Sequence, residues 1–215
     1  PRLEIGTMRL NQVPAGVMDL HKYSLNVNPQ YEAVAGIIGM NVLRRLTPTL
    51  DYESGKLILR RAGSDAAQAA LRDASDPATG RVPFELWGEN ELMVAGSLSG
   101  SRRMAFILQS GFPACGVAAP AEVLEEVGVK PGGVAKAMRT MGQMLQGRRW
   151  DECTVPTVAV GPLVRDKVSA WSGAMDSGEM WRQGIRRDAI IGTEFLNKRR
   201  VTIDWAQHQL LVEEK

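Results

Sequence analysis

The sequence predicts a mainly β protein with short helices, built from two related units of which only the second is complete. Three observations predict this. Strand-like runs of alternating polarity, bounded by glycine turns, fill most of the 215 residues. One pattern of hairpin, short apolar run, short helix and second hairpin occurs twice. The second occurrence is preceded by further strand patterns, whereas the first starts almost at residue 1.

The repeat is read directly. Residues 36–59, GIIGMNVLRRLTPTLDYESGKLIL, lie over residues 189–212, AIIGTEFLNKRRVTIDWAQHQLLV, without a gap at an offset of 153. Ile37, Ile38, Gly39, Leu43, Thr49, Asp51 and Leu57 meet identical residues, and Tyr52 meets Trp205. Upstream, LEIGTMRLNQVPAGVMD (3–19) resembles VAVGPLVRDKVSAWSGAMD (158–176) at an offset of 155, with Gly6 over Gly161. The intervening loop therefore differs by two residues.

Each element follows from its residues. Gly6 and Gly161 mark the turns of the opening hairpins. Ile37-Ile38-Gly39 and Ile190-Ile191-Gly192 read as short apolar strands ending at glycine. MNVLRRL and TEFLNK read as short helices. TPTLDY-ESG-KLILR and VTIDW-AQH-QLLVE read as closing hairpins, with Asp51 and Asp204 as turn formers that accept backbone N–H bonds. Residues 62–81, rich in Ala, Ser, Asp and Gly, read as a linker with one or two helical turns. Residues 82–111 carry strand patterns with a hairpin around Gly100-Ser101. APAEVLEEVG (119–128) reads as a short helix stopped by Gly128. Residues 131–146 are ambiguous: Met138, Met141 and Met144 at helical spacing favour a helix packed on the core, and a hairpin is the alternative. Residues 147–171 return to strand-like alternation.

Composition bounds the function. The net charge is +2 with both signs interspersed, which gives no case for nucleic acid. The runs Arg148-Arg149 and Lys198-Arg199-Arg200 read as solvated strand ends or turns. No apolar run approaches the ~20 residues of a membrane helix. Cys115 and Cys153 lack metal-type spacing and allow one disulfide or none, so the compartment stays open between secreted, periplasmic and cytoplasmic. His21 and His208 read as surface residues. No serine has an evident base, and Pro131-Gly132-Gly133 reads as a turn rather than a phosphate loop. Neither a cofactor nor a metal is expected.

One stretch points to chemistry. FILQSGFPA (106–114) runs an apolar strand into Gln109-Ser110-Gly111 and turns away. Together with Ile190-Ile191-Gly192-Thr193-Glu194-Phe195-Leu196 and the endings LDYESGKLIL and IDWAQHQLLV, it resembles the retropepsin-like and pepsin-like aspartic proteases of the bacterial two-lobed type. The resemblance implies a closed barrel lobe over residues 82–215, the C-terminal half of a first lobe over 1–61, and a linker at 62–81. It implies a peptide or protein substrate held in a cleft. It places Gln109, Ser110 and Gly111 at a catalytic Asp-Ser/Thr-Gly position, with Ile37, Ile38, Gly39, Ile190, Ile191 and Gly192 as the structural motif beside it.

In that family two aspartates share a proton and activate a water. Like charges ~3 Å apart cannot both ionise, and the split supplies an acid and a base. An amide at residue 109 has no proton to exchange. It donates and accepts hydrogen bonds, and its extra methylene carries the polar end further into a cleft. Three readings follow: a pseudo-protease whose lobe shapes a peptide groove, a protease using an Asp in the missing part of the first lobe with Gln109 bonding the water or substrate, or a polar residue at a strand end. A chain that opens at Pro1 in a strand-like run reads as a fragment or a processed form. Residues 1–61 are expected to pack against a missing N-terminal portion or a second chain.

Overall fold

The computed structural model describes residues 2–17, 36–74, 79–88, 91–110, 112, 115–130, 132, 151–173, 175 and 184–214. Met138, Met141, Met144, His21, Gly111, Pro131, Gly133 and Arg148-Arg149 lie outside them. Among the described residues no helix is long and apolar enough to cross a membrane.

The second unit is a closed barrel. Strands β6 (Glu91–Leu98) and β7 (Met104–Leu108) form a hairpin whose turn carries Gly100 at positive φ. β9 (Asp151–Val160) and β10 (Leu163–Ser172) form another, turning at Gly161, φ 55°. β8 (Val117–Ala119) and β11 (Ala189–Ile191) are short and buried, and both fit the continuous apolar run of a strand covered on both faces. The order runs β6-β7-β11-β8-β10-β9, and β9 returns to β6, which closes a ring of six strands.

Closure depends on a residue without a side chain. Gly96 of β6 stands opposite Val160 of β9. A Cβ there would lie 2.3 Å from the Ala159 carbonyl oxygen and 2.3 Å from the Phe106 ring. Phe106, Leu98, Val117, Val158, Ile191 and Phe195 fill the interior. Each such side chain contributes roughly 1.5–3 kcal/mol on burial.

The two closing hairpins form a second sheet, joined back to back. β3 (Leu46–Asp51) pairs β4 (Lys56–Arg61), β12 (Arg199–Asp204) pairs β13 (Gln209–Glu214), and β3 pairs β12 antiparallel. Thr49 meets Thr202, and their hydroxyls lie 2.9 Å apart in a buried hydrogen bond. On either side, Tyr52 N–H donates to the Arg199 carbonyl and Trp205 Nε1–H to the Leu46 carbonyl. β5 (Gly80–Trp87) pairs first with β13 and then with β6, so it ties this sheet to the barrel.

Asp51 and Asp204 are turn formers. Asp51 Oδ1 accepts from Ser54 N–H, and Asp204 Oδ1 from Ala206 and Gln207 N–H. The hairpin β1 (Arg2–Ile5) with β2 (Met8–Asn11) turns at Gly6, φ 57°, the counterpart of Gly161. The short helices are α1 (Met40–Leu43), α3 (Ala121–Glu126) and a 3-10 helix (Thr193–Leu196).

Three expectations need correction. Ile37-Ile38-Gly39 is not a strand: Ile37 and Ile38 are exposed, and no described strand pairs with the segment. Its residue types suit a strand, but a strand needs a neighbour. The Ala-rich stretch is a longer helix than one or two turns, α2 (Asp65–Asp73), and β5 already begins at Gly80. The Ser64 hydroxyl caps α2 by accepting from Ala67 N–H, and Asp65 and Arg72 suit its dipole. Lys198 is exposed, but Arg199 is buried: its side chain donates to Glu214 and to the Phe195 carbonyl.

Candidate functional site

β7 and β11 run parallel, with Ile191 beside Leu108. Gln109 follows β7 directly. Its N–H donates to the Ile191 carbonyl at 3.0 Å, and its own carbonyl accepts from Phe112 N–H at 3.1 Å. The chain thus bends at Gln109-Ser110, and both side chains are exposed.

The bend is clamped to the second Ile-Ile-Gly segment. Gly192 N–H donates to the Gly116 carbonyl at 3.0 Å, and Thr193 N–H to the Phe112 carbonyl at 3.2 Å. A Cβ on Gly192 would lie 2.4 Å from the Cys115 carbonyl oxygen and 2.8 Å from that of Phe112. Only a residue without Cβ lets the bend settle this close. Phe112 also packs edge-on against Trp171, ring centres 5.8 Å apart.

Gln109 and Ser110 open onto a cleft of about 230 Å³. Leu92, Leu108, Leu50, Tyr52, Val201 and Ile203 line it, and Ile38 and Gly39 of the first repeat reach it from the far side. Gln109, Ser110, Ile38 and Gly39 therefore share one hollow. Ile190 and Ile191 stand behind it within the barrel. Gly111 lies outside the described residues. The Leu50, Tyr52, Val201 and Ile203 wall was not anticipated. Period-two alternation marks which side of a strand is apolar, and does not say what that side meets.

The cleft offers hydrogen bonds rather than proton transfer. No carboxylate lines it among the described residues. Its phenol, Tyr52, is pushed up to about 12 by burial and stays neutral across the physiological range. Gln109 and Ser110 donate and accept without titrating.

No family model and no curated protein matches this chain. Solved structures do. One is a retropepsin-like aspartic protease from Rickettsia conorii, at 13% identity and TM-score 0.43, covering 62% of this chain and 90% of that one. Another is Basic 7S globulin from soybean, at 11% identity and TM-score 0.37, covering 77% of this chain and 50% of that one.

The cysteines are unbonded. Burial, then the Glu194 charge, pushes the Cys115 thiol up to about 12; burial and the Glu152 and Asp151 charges push Cys153 up to about 11. The nucleophile is the thiolate, so neither is activated. His208 is exposed in its turn and stacks on Phe84, ring centres 5.6 Å apart. Iodoacetamide at pH 8 is expected to alkylate both thiols far more slowly in the native chain than in urea, followed by mass spectrometry. Comparable rates would overturn this assignment.

Proposed function

We propose that this chain is an aspartic-type endopeptidase-like protein that holds an extended peptide in the Gln109 cleft without hydrolysing it. The reading divides the chain into a half-lobe (1–61), a linker (62–81) and a full lobe (82–215). The observation that carries it is the Gln109-Ser110 bend, clamped on Gly192 at the mouth of an apolar cleft. Gln109 takes the place of the aspartate. Its carbonyl accepts and its NH₂ donates to peptide backbone, while alternate apolar side chains enter the walls. A shared proton needs two carboxylates, and the cleft's described lining has none, so Gln109→Asp alone restores no proton-sharing pair.

The test is a titration of fluorescent apolar decapeptides into the chain between pH 4 and pH 7. Saturable binding without cleavage is expected. Gln109→Ala, at an exposed position, leaves the fold intact and lowers affinity about tenfold, the worth of one good hydrogen bond. Equal affinity in the variant, or cleavage by the wild-type chain, sinks the reading. The same lack of a lining carboxylate favours a second reading, a non-catalytic β-barrel module that binds a folded protein. There, peptides do not compete with the partner.

A further inference from the structure

We infer that residues 36–43 form a docking surface for a polypeptide strand–bend–strand segment, built like residues 104–119 of this same chain. The inference does not require that Gln109 bind peptide. It rests on comparing the two repeats, since the second shows what the first lacks.

In the second repeat the Ile-Ile-Gly segment is enclosed. β11 lies between β7, parallel, and β8, antiparallel. Ile190 is 9% exposed and Ile191 0%. Gly192 faces the carbonyls of the bend that joins those two strands. In the first repeat the same sequence is bare. Ile37 is 62% exposed and Ile38 40%. Among the described residues a Cβ on Gly39 would meet only the side chain of Asn41, two residues on in the short helix that follows.

At its glycine the bare segment nevertheless holds the conformation of the enclosed one. Gly39 has φ −87° and ψ 174°, and Gly192 has φ −92° and ψ 178°; a short helix follows each. Two hollows border the segment. One, of about 610 Å³, is lined by Ile5, Val13, Ile37 and Val42. The other is the 230 Å³ cleft, and the two meet at Ile38 and Gly39. An exposed apolar segment with which no described strand pairs is a template for pairing.

The occupant is set by that geometry. It brings one apolar strand parallel to residues 37–39 and one antiparallel, joined by a tight bend of small residues whose carbonyls face Gly39. The β7–β8 segment of a second copy is unsuitable, because it is already bonded to its own β11. A different polypeptide segment of the same chemistry is required.

The probe is a synthetic peptide of residues 104–119, with Cys115→Ser and a lysine tail for solubility, titrated into the chain. Saturable binding is expected, with slowed hydrogen exchange at the amides of residues 37–39. Gly39→Ala and Ile38→Asp lower affinity by about tenfold or more, while the melting temperature of the peptide-free chain holds. Ile37→Asp, in the hollow that Gln109 does not line, lowers this binding and leaves decapeptide binding in the Gln109 cleft unchanged, which separates the two. No saturation by about millimolar peptide, protection elsewhere, or full affinity in both variants overturns the inference. So does self-association of the peptide-free chain that Gly39→Ala abolishes, since that assigns the face to a second copy.

Discussion

Asp188→Ala is expected to lower the unfolding free energy by about 3 kcal/mol, the cost of removing one partner from a buried, hydrogen-bonded ion cluster. Asp188 is buried at the start of β11, at the end of the barrel away from Gln109. Its carboxylate accepts from Ala105 N–H at 2.9 Å, Arg102 at 2.7 Å and Arg186 at 2.7 Å. Glu126 of α3 takes the other donors of Arg102 at 2.6 and 3.2 Å and of Arg186 at 3.1 Å. Two arginines and two acids thus tie β7, β11 and α3 together. Alanine leaves the Ala105 N–H without its acceptor and two guanidinium groups on one carboxylate. Arg102 and Arg186 reach solvent, which holds the cost near the low end of the range for buried pairs. The cluster also makes acid stability readable. Burial alone would raise the Asp188 pKa, but hydrogen bonds from Arg102, Ala105 and Arg186 outweigh it, and the folded value lies below the usual carboxylate range. A depressed folded pKa stabilises above the unfolded value of about 3.9 and is lost as pH falls through the folded one. In urea titrations, the gap between wild type and Asp188→Asn is therefore expected to be full at pH 7 and to shrink well below pH 4. A gap of equal size at both ends of that range would show that the carboxylate's charge contributes nothing.

The sequence match between residues 36–59 and 189–212 bears on the closing hairpins. The 153-residue offset equates Thr49 with Thr202, and these are the residues through which the two closing hairpins pair. Turn glycines and turn aspartates were legible because their chemistry is local: φ near 55° at Gly6 and Gly161, and side-chain oxygens accepting two or three residues ahead. The Gln109 bend and its closeness to Ile190-Ile191-Gly192 were anticipated through order along the chain. What escaped was everything that depends on a distant neighbour. Identical Ile-Ile-Gly triplets give a buried strand where two strands flank it and an exposed segment where no described strand does. Arg199 sits in a basic run yet is buried, because Glu214 lies across the hairpin from it. Arg102 and Asp188 are 86 residues apart, and no spacing rule connects them.

Gly192→Ala is expected to cost about 3 kcal/mol, the upper end for overpacking, because the added methyl group meets backbone rather than a side chain that can swing away. Its Cβ would lie 2.4 and 2.8 Å from two carbonyl oxygens, distances that require one segment to move. The strain is steric alone, since φ −92° and ψ 178° suit any residue. The part free to move is the bend, because Ile191 is held between β7 and β8. Displacing it breaks the bonds from Gly192 N–H to the Gly116 carbonyl and from Thr193 N–H to the Phe112 carbonyl. Amide exchange at residues 192 and 193 should therefore accelerate beyond what the stability loss alone explains, and the peptide affinity proposed for the Gln109 cleft should fall with it. Gly39→Ala is the matched control. It has the same sequence context and nearly the same dihedral angles, and its added methyl group would meet the Asn41 side chain at 3.0 Å, which can swing away, where Gly192 has backbone, so its stability should stay within about 0.5 kcal/mol of wild type. Should the two alanines behave alike, glycine at residue 192 is not what admits the bend, and the close approach that brings Gln109 to the cleft has another cause.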